Sequence, residues 1–202
     1  FPQAVYAQEQ AKERWGRKAG DDAWMQFYGM RSAQMSQIWT EVYGDQAPER
    51  LAAVIGTHTG WLGLEEASLN APLWVEEDPE NNWAPYVYFT DYAITGYFGY
   101  EMGSDEQAPA VLEWIEESAR LAVNDAAVKG LTGAELDAYL AEHKYDGANQ
   151  QVDRALRDGS VKELIEVIFP KQAQVADDYG LRLVMYEGGT HVAVSGKWSA
   201  NE

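Results

Sequence analysis

Apolar residues along this chain alternate between helical spacing and short unbroken runs, and the two patterns take turns. Residues 1–15 place Val5, Tyr6 and Trp15 among Gln, Glu and Lys, which predicts a helix already under way. Gly16 to Gly20 interrupts it, and Asp21 or Asp22 is placed to cap a second helix. In that helix Trp24, Phe27, Tyr28, Arg31, Met35, Ile38, Trp39 and Val42 recur at three- and four-residue steps, so they are expected to form its inward face. Gly44 is the expected stop. The run Leu51 to Gly56 is short, apolar and β-branched at its middle, and predicts a buried strand. A short helix is expected through about Leu69, then a long loop from Asn70 to Pro85, where Pro, Asn, Asp and Trp collect.

Asp91 to Gly99 reads as a second strand ending in aromatics and glycine. Three Ser/Thr-x-x-Glu/Gln pairs, Ser104 with Gln107, Thr132 with Glu135 and Ser160 with Glu163, have capping-box spacing and predict three helix starts. The first helix carries Val111, Leu112, Ile115, Ala119 and Ala122; the last carries Leu164, Ile165, Ile168 and Val175 and should be kinked by Pro170. After Gly180 comes Leu181 to Glu187, an apolar run bounded by Gly188-Gly189, which predicts a third buried strand with Glu187 at its tip. Strands alternating with helices indicate an α/β chain with a parallel sheet. Without repeat, linker or low-complexity tract, residues 1–202 read as a single domain. Three strands do not close an eight-stranded barrel, so further strands are expected from another region or chain. A start at Phe1 and a polar end also read as a processed or partial product.

Charge narrows the functions. A net charge of -18 argues against nucleic acid and against an anionic membrane surface, since both need clustered Lys and Arg. No apolar stretch approaches the ~20 residues that span a bilayer. With no Cys there is no disulfide or thiolate site, and three His residues far apart in sequence make no metal pattern, so no metal or other cofactor is expected. Eight Trp and twelve Tyr are the compositional excess, a content suited both to core packing and to surfaces that stack on sugar rings.

Parallel neighbouring strands would gather His58 and Trp61, Tyr97 and Phe98, and Glu187 with His191 at one end of the sheet. A glycosidase needs two carboxylates, about 5 Å apart for retention, together with hydroxyl partners and an aromatic floor. Glu187 supplies one carboxylate, and Tyr97 is placed to donate to it. Trp61, Trp83 and Trp198 are candidate sugar platforms, and His58 and His191 candidate substrate contacts. The plain alternatives are a solvated carboxylate, packed aromatics and loop histidines.

Four segments, residues 25–35, Thr57-His58-Thr59-Gly60-Trp61, Thr95-Gly96-Tyr97-Phe98-Gly99 and Met185-Tyr-Glu-Gly-Gly-Thr-His191, together resemble the later part of bacterial cellulase-like TIM-barrel proteins of the clan A glycoside hydrolase type. The resemblance runs over nearly the whole chain in short motifs. It implies a partial (β/α)8 TIM barrel with large helical insertions, its strands corresponding to the fifth to seventh, and a retaining hydrolase of β-linked poly- or oligosaccharides. It implies Glu187 as nucleophile and Tyr97 as the tyrosine beside it. The family's acid/base is a Glu preceded by Asn at the fourth strand, and no such strand end precedes the first helix here. Asn201-Glu202 has the dipeptide in a polar tail, the wrong setting. The acid/base and the remaining part of the barrel are therefore expected outside this chain. The alternative is a carbohydrate-binding or structural barrel without catalysis.

Overall fold

The computed structural model describes residues 2–193. Helix dominates, and the strands form one small parallel sheet, so the chain is a mixed α/β protein. The elements in order are α1 (Pro2–Trp15), α2 (Ala23–Tyr43), α3 (Ala47–Arg50), β1 (Val54–Gly56), α4 (Glu65–Asn70), α5 (Pro72–Glu77) and β2 (Asp91–Phe98). There follow α6 (Ala108–Val128), α7 (Gly133–His143), α8 (Asp146–Asp158), α9 (Ser160–Glu163), α10 (Phe169–Asp178) and β3 (Arg182–Thr190). The sheet order is β1-β2-β3, with Val54, Ile55 and Gly56 paired in parallel to Asp91, Tyr92 and Ala93. Along β2 and β3 the N–H of Arg182 donates to the Thr90 carbonyl and, farther on, that of His191 to the Phe98 carbonyl, so these strands also run the same way.

The chain divides into two compact units. The first runs to Gly96 and takes in Phe169–Glu187; the second holds Tyr97–Ile168 and the chain from Gly188 onward.

In the first unit, α1 and α2 pack through small residues. Ala11, Ala23 and Ala33 are fully buried, and Trp15, Met30, Ala71 and Trp74 close the cluster. The buried face of α2 is therefore Met25, Gln26, Gly29, Met30, Ala33 and Ser36. This corrects the sequence reading, because Met35, Ile38, Trp39 and Val42 are 50 to 69% exposed. Small residues won because they let neighbouring backbones close in: a Cβ on Gly29 would lie 2.0 Å from the Ser68 carbonyl oxygen of α4.

The stretch expected as a loop after Asn70 contains α5. Ala71 takes a left-handed conformation at φ 37°, Pro72 starts the helix, and Trp74, 3% exposed, anchors it in the α1/α2 cluster. A second cluster sits where Ile55, Tyr92, Ile94 and Leu181 of the sheet region meet Leu69, Phe89 and Ala176. β2 is buried, whereas β1 is only three residues long and β3 is a half-exposed edge with Met185 and Tyr186 50 and 55% exposed. β3 also continues through Gly188-Gly189 to Thr190, which sets Glu187 inside the strand, three residues before its end.

In the second unit α6 packs on α7 and α8, burying Ser118, Ala122, Ala126 and Ala148. Ser104 accepts the Gln107 N–H, but α6 begins only at Ala108 with Gln107 in the cap position, so this bond closes the turn before the helix and does not cap it. Neither Thr132 nor Ser160 caps through its side chain: Thr132 makes no capping bond, and the Ser160 hydroxyl is engaged elsewhere. Pro170 lies in the first turn of α10. Residues Leu164–Ile168 form a π-helical turn just before it, which accommodates a residue that lacks an N–H and crowds the carbonyl four residues back. In the first unit Gly180, at φ 67°, ends α10, with the Leu181 N–H reaching back to the Ala176 carbonyl in a Schellman-type stop.

Candidate functional site

In the first unit, the C-terminal end of β1 and the exposed part of β3 carry the candidate residues. Tyr28 of α2 binds the last residue of β1 at both backbone atoms: its hydroxyl donates to the Gly56 carbonyl at 3.1 Å and accepts the Gly56 N–H at 3.3 Å. The Tyr186 ring lies over the same glycine, whose ideal Cβ position is 3.7 Å from a ring carbon of Tyr186 and 3.8 Å from the Tyr28 oxygen. Glu187 follows Tyr186 and is exposed. Partial burial raises the Tyr186 hydroxyl above the ordinary tyrosine range, and the charge of Glu187 and the neighbouring Tyr28 push the same way. Tyr186 therefore stays a neutral donor at physiological pH.

The loop after β1 carries His58 and Trp61, both exposed. Trp61 sits against Trp24 with ring centroids 6.2 Å apart, giving a paired indole surface of which Trp61 is 58% exposed. Thr59 pins this loop to β2: its hydroxyl accepts the Thr95 N–H at 2.8 Å and donates to the Thr95 carbonyl at 2.9 Å.

Beneath the loop lies a buried polar chain that the sequence reading missed. The Gly63 N–H donates to Glu65 at 2.6 Å, Gln172 of α10 donates to the other Glu65 oxygen at 2.9 Å, and the Tyr92 hydroxyl donates to the Gln172 amide oxygen. Every hydrogen in it points toward Glu65, which is 3% exposed. Burial pushes the Tyr92 hydroxyl far above the usual tyrosine range, with Glu65 adding and the adjacent Thr57 hydroxyl opposing. The Thr57 hydroxyl, itself buried, makes no well-formed hydrogen bond there. The chain holds the His58–Trp61 loop to α10. Its members lie 107 and 80 residues apart in sequence, so no local pattern announces them.

In the second unit Tyr97 and Phe98 are half-buried at the end of β2. Tyr97 stacks on His191, ring centroids 4.9 Å apart, and the His191 N–H bonds the Phe98 carbonyl at 2.7 Å. The sequence reading paired Tyr97 with Glu187; the described ring partner of Tyr97 is His191, and Glu187 belongs to the other unit. Beside them the Ser160 hydroxyl donates to Glu101 at 2.8 Å and accepts the Gly99 N–H at 2.9 Å. This pairing of Ser160 with a carboxylate 59 residues away replaces the capping box expected from Glu163. Trp83 is 61% exposed on its loop, and Trp198 lies outside the described residues.

Among the described residues no group of three or more His, Cys, Asp or Glu side chains is arranged to hold a metal ion, and no helix is long and apolar enough to cross a membrane. The chain matches no family model, no curated protein and no solved structure.

Proposed function

We propose that this chain forms part of a glycan-active (β/α)8 barrel of the clan A glycoside hydrolase type, in which β1, β2 and β3 correspond to the fifth, sixth and seventh strands. In this reading it hydrolyses β-linked poly- or oligosaccharides with retention, and Glu187 attacks the anomeric carbon. Two features of the fold support the barrel reading: the strands are parallel, and they lie side by side in sequence order. The observation that carries the functional reading is the exposed Glu187 beside Tyr186, whose ring covers the end of β1 next to the Tyr28 hydroxyl. A carboxylate flanked by phenol groups and, on the β1 loop, by an exposed indole is the chemistry a polyol needs.

The test is turnover of a panel of aryl β-glycosides and soluble β-glucans by the complete barrel that contains this chain, as parent and as E187Q. Loss of a nucleophile should lower kcat/KM by about a thousandfold or more while sugar binding is kept. Equal turnover by parent and variant rules the assignment out.

The exposure of Glu187 on an edge strand favours a second reading, carbohydrate binding without turnover, because a water-exposed carboxylate stabilises a developing cation weakly. In that case neither protein turns over any substrate, and W61A weakens sugar binding by about tenfold through the lost stacking surface.

A further inference from the structure

The loop that carries Trp61 is fastened on both sides of that residue. Before it, Thr59 is bonded to Thr95 of β2; after it, the exposed Gly63 donates its N–H to the buried Glu65 at 2.6 Å. Glu65 is also the end of the chain that runs from Tyr92 through Gln172, two side chains with no exposed surface. One polar group in this neighbourhood is left over. Thr57 is 5% exposed, and its hydroxyl lies beside the Tyr92 phenol without a well-formed hydrogen bond. The strand register accounts for the approach: Ile55 pairs with Tyr92, and Thr57, two residues on, shares the side of Ile55. A buried hydroxyl left unbonded is costly, so its presence calls for a second arrangement in which it is used.

We propose that Glu65 is a positioning residue for the Trp61 sugar platform, and that Thr57 is its reserve acceptor, the end point of the same hydrogen-bond chain run in reverse. The role given to Trp61 rests on the glycan reading above. As the chain stands, Tyr92 donates to the Gln172 amide oxygen, Gln172 donates to one Glu65 oxygen and Gly63 donates to the other. Both Glu65 oxygens accept, as those of an ionised carboxylate do. A neutral group at this position carries a hydrogen of its own, and two donors then meet between it and Gln172. Turning the Gln172 amide over removes the conflict. Residue 65 donates to the amide oxygen, the amide nitrogen donates to Tyr92, and Tyr92 turns its hydrogen to Thr57. Every buried group then has a partner, and the bond from Gly63 survives in both directions. The Trp61 loop therefore stays fastened whichever form residue 65 takes.

The complete protein that contains this chain tests this as parent, T57V, E65Q and E65Q/T57V, by amide hydrogen exchange at Gly63 and by binding of a soluble β-glucan. T57V alone and E65Q alone should each stay within about twofold of the parent in both measurements, because each leaves one direction of the chain complete. The double variant has neither. Its fully buried Tyr92 hydroxyl keeps the Gln172 oxygen as acceptor, so the E65Q amide turns its nitrogen to Gly63, whose exposed N–H goes to water. Gly63 exchange should then rise by about tenfold or more and binding weaken by about fivefold, while β2 amides exchange as in the parent. In a W61A background the double variant should weaken binding no further, a result that a general loss of stability would not give. Additive effects of T57V and E65Q, or a double variant that exchanges like the parent, overturn the proposal. Weakening that persists in the W61A background overturns the positioning role. If the parent binds no β-glucan, the glycan reading falls and the role of Trp61 with it; exchange at Gly63 then upholds or overturns the reversible chain by itself.

Discussion

Asp91 shows how far one residue's chemistry depends on its neighbours. It is 1% exposed at the start of β2, and its carboxylate accepts from Arg182 at 2.5 Å and from the Thr90 hydroxyl at 2.6 Å. The Arg182 hydrogen bond holds its pKa below the ordinary 3.8 against the opposing effect of desolvation. A carboxyl whose folded pKa lies below its unfolded value stabilises the fold above that unfolded value, and the contribution is lost as pH falls through the folded pKa. Arg182 is 72% exposed, so solvent screens the ion pair and the hydrogen bonds at the buried carboxylate dominate. D91N is expected to cost about 1–3 kcal/mol at neutral pH. Urea unfolding of parent and variant should show that gap at pH ~7 and its narrowing below pH ~3. Glu187, the residue most prominent in the sequence, is by contrast exposed on an edge strand, while Glu65, which no motif marks, is buried and fully hydrogen-bonded.

At the scale of elements, the glycine stops of α2 and α10 were readable, whereas several helix starts and the orientations were not. Gly44 after α2, Gly180 after α10 and the turn before Pro170 act within a few residues of themselves, so sequence spacing exposes them. α2 offered two faces with apolar residues, a bulky one and a small one, and periodicity cannot choose between them. Packing chose the small one, because Gly29 admits the α4 backbone at a distance no side chain permits. G29A should therefore destabilise the first unit by about 3 kcal/mol or more, with no flexible side-chain end available to yield. Thermal unfolding followed by tryptophan fluorescence reads this, and a melting temperature within a degree of the parent's would show that α2 and α4 can separate at little cost. The expected loop after Asn70 became α5 for a related reason: Trp74 has a preformed cluster to enter, which local polarity conceals.

Over the whole molecule, the charge of -18 acts on everything at once. Repulsion among 33 acidic side chains opposes compaction, and only part of it is relieved by local ion pairs such as Arg14 with Glu77 and Lys129 with Asp125. Screening by salt shortens its range to about 10 Å at ~0.1 M, so the melting temperature should rise by a few degrees between ~10 mM and ~200 mM NaCl. Calorimetry at the two salt concentrations checks this, and a fall would mean that the ion pairs outweigh the net repulsion. The alternation of strand and helix, the three strand positions and the acidic surface follow from the sequence itself, because composition and short-range periodicity act without reference to distant residues. Only the tertiary structure decided that β3 is an exposed edge, that the bulky stripe of α2 faces outward, and that Glu65 meets Gln172 and Ser160 meets Glu101. Those outcomes depend on which surfaces fit closely enough to exclude water and which buried polar groups find partners, and both conditions are met between segments far apart in the chain.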